Sequence, residues 1–135
     1  MPLEEQTLAS LAKSPFDKLR MTVFPKYYPF THSEPRYYPV PGTYRPNNNC
    51  SWDFTRFNIP FWRHLEKRVA DVVAQGVVAE IILFHPYDGG HWGFDCMGGA
   101  NSSNYDTTND ERYLQYVVAR LGAYHNVWWS MANEW

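Results

Sequence analysis

Only two cysteines, Cys50 and Cys96, occur in 135 residues. That is too few for a disulfide framework, and both stand in loop-like sequence, so they are read as free thiols. Neither sign of charge dominates. A formal net charge of -2 leaves no basic footprint for nucleic acid or an anionic membrane. No apolar run reaches transmembrane length. The opening MPLEEQTLASLAKSP carries acid where a secretory signal would be basic and then apolar, so the chain as written is expected to stay in the cytoplasm, although a parent protein could be secreted. No repeat is visible. Asn49 and Asn101 begin N-x-S/T sequons, which at this length carry no weight.

What is abundant is aromatic: 18% of the residues are Phe, Trp or Tyr, within a 44% hydrophobic composition. The length suits one globular domain with its own core. Aromatic rings in excess of helical stripes favour a surface that stacks on flat or ring-shaped ligands, and sugars fit that description.

Along the chain, LEEQTLASLAKSPF reads as a helix with Leu8, Leu11 and Ala12 at helical spacing and Pro15 as its stop. Lys18 to Phe24 reads as a strand closed by Pro25. Residues 25–58, crowded with Pro, Tyr and Asn, form a connection too long to be a simple turn. Asn58 as N-cap and Pro60 in the first turn start a second helix with Phe61, Leu65, Val69, Val72 and Val73 on one face and Gly76 at its end. Val77 to about His85 is a second strand, whose apolar character predicts cover on both faces. A Gly- and Asn-rich loop from Asp88 to Asn109 follows. Thr108 and Glu111 have capping-box spacing for a third helix, striped by Leu114, Val117, Val118 and Leu121 and ending near Gly122. The run NVWWSMANEW then reads as a short buried strand.

The order is α-β-α-β-α-β with apolar strands, which predicts parallel βαβ units. Segments after strands are long and aromatic, whereas those from helix to strand are short. That asymmetry matches part of a (β/α)8 barrel, whose chemistry sits on the loops at the C-terminal ends of the strands; an open parallel sheet is the alternative. Polar residues stand at those ends: Lys26 after the first strand, His85 after the second, Asn133 and Glu134 after the third. Each has a plain alternative as a satisfied structural residue or a solvated strand exit.

The segments RMTVFPKYY, DFTRFN, FWRHLEKRV, ILFHPYD, WGFD and DERYLQYVVARLGAYHNVWWSMANEW, in that order, resemble the barrel of the apiosidase-like glycoside hydrolases of bacteria. WWSMANEW itself is similar to the fourth strand of clan A glycoside hydrolases. The resemblance implies that Glu134 is the catalytic acid/base, that Asn133 positions a sugar 2-hydroxyl, and that His85 is a polar residue at the end of the third barrel strand. It further implies that residues 1–135 are the N-terminal part of one catalytic domain, cut after strand four and lacking the nucleophilic glutamate of strand seven. The reaction would be that of a retaining glycosidase with two carboxyl groups about 5 Å apart.

The substrate is then expected to be an oligosaccharide or polysaccharide, with no cofactor. Tyr27, Tyr28, Tyr37, Tyr38, Trp52, Tyr87 and Trp92 are the aromatic candidates for its subsites. Of Trp128 and Trp129, one is expected in the core and one at the mouth, Trp129 being the substrate-binding candidate. Open strand edges would drive self-association. Two other classes stay open: a metal site using His85, His91, Asp95 and Cys96, whose spacing fits no compact zinc signature, and a non-catalytic carbohydrate-binding or scaffold fragment.

Overall fold

The computed structural model describes residues 2–24, 39–41, 53–84 and 107–133. Among them the elements are α1 (Pro2–Leu11), β1 (Lys18–Thr22), α2 (Ile59–Ala74), β2 (Val78–Phe84), α3 (Thr108–Leu121) and β3 (Val127–Ala132). The strands form one parallel sheet in the order β1-β2-β3. Consecutive strands are therefore neighbours and each is reached through a helix, the arrangement of successive βαβ units.

Local chemistry explains most boundaries. α1 stops at Leu11, short of Pro15, because the Ser14 hydroxyl donates to the Leu11 carbonyl at 2.8 Å and closes the last turn. Asn58 does occupy the N-cap of α2, but its side chain makes no capping bond; its carbonyl accepts the Trp62 N–H at 3.3 Å. At the other end Gly76 has φ of 73°, Val77 N–H donates back to Val72 O and Gly76 N–H to Val73 O. That double closure is a Schellman motif, and it needs a residue without Cβ strain in the left-handed region. The cap of α3 is Thr107 rather than Thr108: its hydroxyl donates to Glu111 Oε1 at 2.8 Å and its carbonyl accepts the Glu111 N–H. The end of α3 is tight, since a Cβ at Gly122 would come within 2.7 Å of the Val118 carbonyl oxygen.

The core lies between the helices and one face of the sheet. Leu19, Met21 and Val23 on β1 and its exit share that face with Ala79, Ile81 and Leu83 of β2, and they join Leu65, Val69 and Val72 of α2 and Val117 and Leu121 of α3. Val118, expected in the α3 stripe, is exposed, and Tyr113 is buried in its place. The opposite face is polar at its lower end. There Glu80 is ion-paired with Lys18 at 2.8 Å and accepts from Arg20 at 3.1 Å, and the Lys18 partner first, then Arg20, holds its carboxyl below the ordinary range. The expected cover on both faces is what β2 shows, with Ala79, Ile81 and Leu83 buried on one face and Ile82 and Phe84 on the other, Glu80 being the polar interruption of the run.

The fully buried reading of the last strand is also corrected. Trp128 is 57% exposed, Trp129 38% and Met131 61%. β3 has β2 on one side and no further strand among the described residues on the other, so its side chains find neighbours on one flank alone. On the outer side of α2, α1 is fastened by a hydrogen bond between Glu4 and His64 Nε2 at 3.1 Å and an ion pair of Glu5 with Arg68 at 2.7 Å.

Candidate functional site

The strands β2 and β3 run in register to their last pair, Phe84 beside Ala132. One residue further on, Asn133 is half-buried and its N–H donates to Phe84 O at 3.2 Å. The pairing thus reaches past the last strand residue, and Asn133 is held at the C-terminal end of the sheet. In α/β sheets that end is where ligands bind.

The adjoining carbonyl, that of Leu83, is held from a different element. Tyr113 on α3 donates its hydroxyl to Leu83 O at 2.9 Å in a buried setting. Burial pushes the Tyr113 phenol well above its ordinary value, so it stays protonated and remains a donor. Phe24 and Phe84 enclose its ring at centroid separations of 4.9 Å and 5.3 Å.

Next to this, the start of α2 is anchored by Trp62. Its side chain is fully buried, and its Nε1 donates to Pro39 O at 2.9 Å. Asn58 N–H reaches the same carbonyl at 3.0 Å, and Asp53 N–H reaches Pro41 O at 2.8 Å. Phe61, Phe57 and Tyr116 pack edge-on around the indole, while Phe57 and Tyr116 stack on each other at 3.7 Å. Asp53 accepts from Thr55 and Arg56, which lower its carboxyl to about 2 and tie the entry into α2. Many of the aromatics whose abundance suggested a sugar-binding surface are therefore spent on a packed layer at this end of the sheet.

Of the expected site residues, Asn133 stands at the sheet end. Trp129 pairs with Ile81 along the ladder and Trp128 with Glu80, so the two indoles project to opposite faces. Lys18 Nζ lies 5.8 Å from the Trp128 ring centroid. Neither indole enters the core, because β3 is flanked on one side alone; the expectation that one of them would do so is corrected. Glu134, His85, Lys26, Tyr87, Trp92 and Trp52 lie outside the described residues, as do Tyr27, Tyr28, Tyr37, Tyr38, His91, Asp95 and Cys96. Among the described residues no group of three His, Cys, Asp or Glu side chains is placed to hold a metal ion, and no helix is long and apolar enough to cross a membrane.

Two residues that shape this end were missed in the sequence. Tyr113 lies four residues before Val117 and eight before Leu121, so extending the stripe back one turn would have found it. Trp62 precedes Leu65 by three and Val69 by seven, the same periodicity, yet its neighbour Phe61 took the place in the reading.

The family model for the apiosidase-like catalytic domain matches residues 11–134. The chain is also similar to a solved Bacteroides vulgatus protein described as a "putative glycoside hydrolase", at 42% sequence identity and a TM-score of 0.83 over 100% of this chain. It spans 26% of that solved chain. No curated protein matches. With the parallel sheet and its Asn133 terminus, these likenesses make the chain glycoside-hydrolase-like: it belongs to the apiosidase-like catalytic-domain family.

Proposed function

We propose that this chain is the acid/base-bearing part of a retaining glycoside hydrolase, its three strands being strands two, three and four of a (β/α)8 barrel that cleaves O-glycosidic bonds in a plant or bacterial polysaccharide. The observation that carries the reading is the end of β3, where Asn133 is tied to the last residue of β2 and directly precedes Glu134. In a parallel barrel the loops at that end surround the substrate.

In this reading Glu134 is the general acid. It protonates the leaving oxygen and then, as base, activates water. A nucleophilic carboxylate from a further strand attacks the anomeric carbon. The charge of that carboxylate favours the protonated form of Glu134 while the sugar is still unattached and ceases to do so once the nucleophile is glycosylated. Asn133 donates to the sugar 2-hydroxyl. His85, Lys26, Tyr87, Trp92 and Trp52 contribute polar and stacking contacts to the sugar.

That the second carboxylate comes from outside these 135 residues is supported by the 26% share of the solved relative that the chain spans. The chain alone is then expected to hydrolyse no glycoside and to self-associate through the open edge of β3. In the enzyme carrying the whole barrel, Glu134→Gln should lose about 100-fold or more in kcat/KM on substrates with poor leaving groups, and much less on activated aryl glycosides. Equal losses on both would remove the acid/base assignment. A monomeric chain with turnover abolished by Glu134→Gln would show that the site is complete within residues 1–135.

A further inference from the structure

The geometry points to Tyr113 as a positioning residue for Asn133, acting through two consecutive peptide units at the end of β2. Its hydroxyl takes the Leu83 carbonyl at 2.9 Å, and the carbonyl of the very next residue, Phe84, takes the Asn133 N–H at 3.2 Å. The two peptide units that meet at the Phe84 Cα are therefore each held, the first by a side chain of α3 and the second by the backbone at the end of β3. If the first bond is lost, the Leu83–Phe84 unit is free to tilt, and the next unit, which shares the Phe84 Cα and carries the acceptor for Asn133, shifts with it.

Three features make this more than general packing. The phenol is buried, so water cannot take over its bond, and it remains protonated across the physiological range. Phe24 and Phe84 pack against its ring, which fixes the direction of the O–H. Finally, Tyr113 is the described residue through which α3 hydrogen-bonds this end of β2, while the Tyr116 hydroxyl, one turn along, accepts from Arg120 at 2.6 Å. Helix α3 thus reads out its docking position at the residue that precedes Glu134. As a role in sugar recognition this rests on the function proposed above; as a coupling between Tyr113 and Asn133 it stands on the two bonds.

The test is amide hydrogen exchange and oligosaccharide binding on the full chain, comparing wild type with Tyr113→Phe and with Tyr116→Phe as control. Exchange at Asn133 is expected to accelerate about fivefold in Tyr113→Phe, the loss of one hydrogen bond's worth of local protection. The Ala79 amide, bonded to Asn126 O at the opposite end of the same strand pair, should keep its relative protection, and Tyr116→Phe should change neither. A merely structural role would loosen Ala79 and Asn133 alike, and that result, or no change at Asn133, would overturn the proposal. Affinity for cello- and xylo-oligosaccharides is expected to fall in parallel with Asn133 protection. If no sugar binds the wild type while Asn133 alone loosens, the positioning role holds and the glycosidase reading loses support. Should Tyr113→Phe not fold, 3-fluorotyrosine placed at 113 keeps the shape and strengthens the donor; it should move the Leu83 carbonyl and Asn133 amide resonances together, and a shift of the first without the second would overturn the coupling.

Discussion

Strands β2 and β3 are written in much the same alphabet, VAEIILF against VWWSMA, yet one is the most buried element of the sheet and the other is largely exposed. β2 has a hydrogen-bonded neighbour on each side and α2 packed on it, and Ala79 and Ile81 are wholly inaccessible. β3 has one neighbour, and its two tryptophans and Met131 remain exposed. Apolar content states what a strand can bury; its neighbours decide what it does bury.

The sharpest way to break that comparison is the same substitution on each strand. Ile81→Lys puts a charge into a closed core with no partner and should cost several kcal/mol, enough to unfold the chain. Met131→Lys should change stability by about 0.5 kcal/mol or less and lower the tendency to associate. Urea unfolding and the mass in solution measure both. If Met131→Lys were as damaging as Ile81→Lys, β3 would be buried in solution against some other surface.

A smaller effect is expected at the turn that feeds β2. Gly76→Ala forces a side chain into the left-handed region and should destabilise by about 1 kcal/mol, although its Cβ would meet no neighbouring atom. The loss would be purely conformational. An unchanged urea midpoint would mean that the Schellman closure does not set the start of β2.

The smallest concerns the polar face that the two strands share with β1. Glu80 is held below its ordinary pKa by Lys18 and Arg20. A depressed folded-state value contributes stability above the unfolded value, and that contribution is lost as pH falls through the folded one. The window therefore lies on the acid side of the ordinary glutamate range. Glu80→Gln should remove about 0.5–1 kcal/mol at neutral pH and flatten the acid limb of a stability-against-pH curve measured by thermal melting. An acid limb of unchanged slope would show that the pairs with Lys18 and Arg20 carry no linkage.

The helices and strands were legible because their boundaries are written in local chemistry: Pro60 and Gly76 around α2, the threonine pair before Glu111, the stripes of Leu65, Val69 and Val72. What escaped depends on pairs distant in sequence. Trp62 reaches back to Pro39, and Tyr113 to Leu83; neither partner is marked by any local pattern, and a backbone carbonyl has no signature in a sequence at all. Glu80 was absorbed into an apolar run because its partners Lys18 and Arg20 lie about sixty positions earlier. Of the candidate site, Asn133 was legible through the resemblance of the motif around it. Its tether to Phe84 was not, since that bond depends on the alignment of two strand ends.

The Trp62 indole has one more implication, in terms of chain statistics. By taking Pro39 O, with Asn58 beside it and Asp53 on Pro41 O, it pins the middle of the long connection from β1 to α2. The connection is thus fixed to the helix at Pro39 and Pro41, and the entropy of closing a connection grows only slowly with its length, about 0.6 kcal/mol for each doubling. Changes of length or sequence before or after that anchor therefore cost little, and the entry into α2 stays set by Trp62.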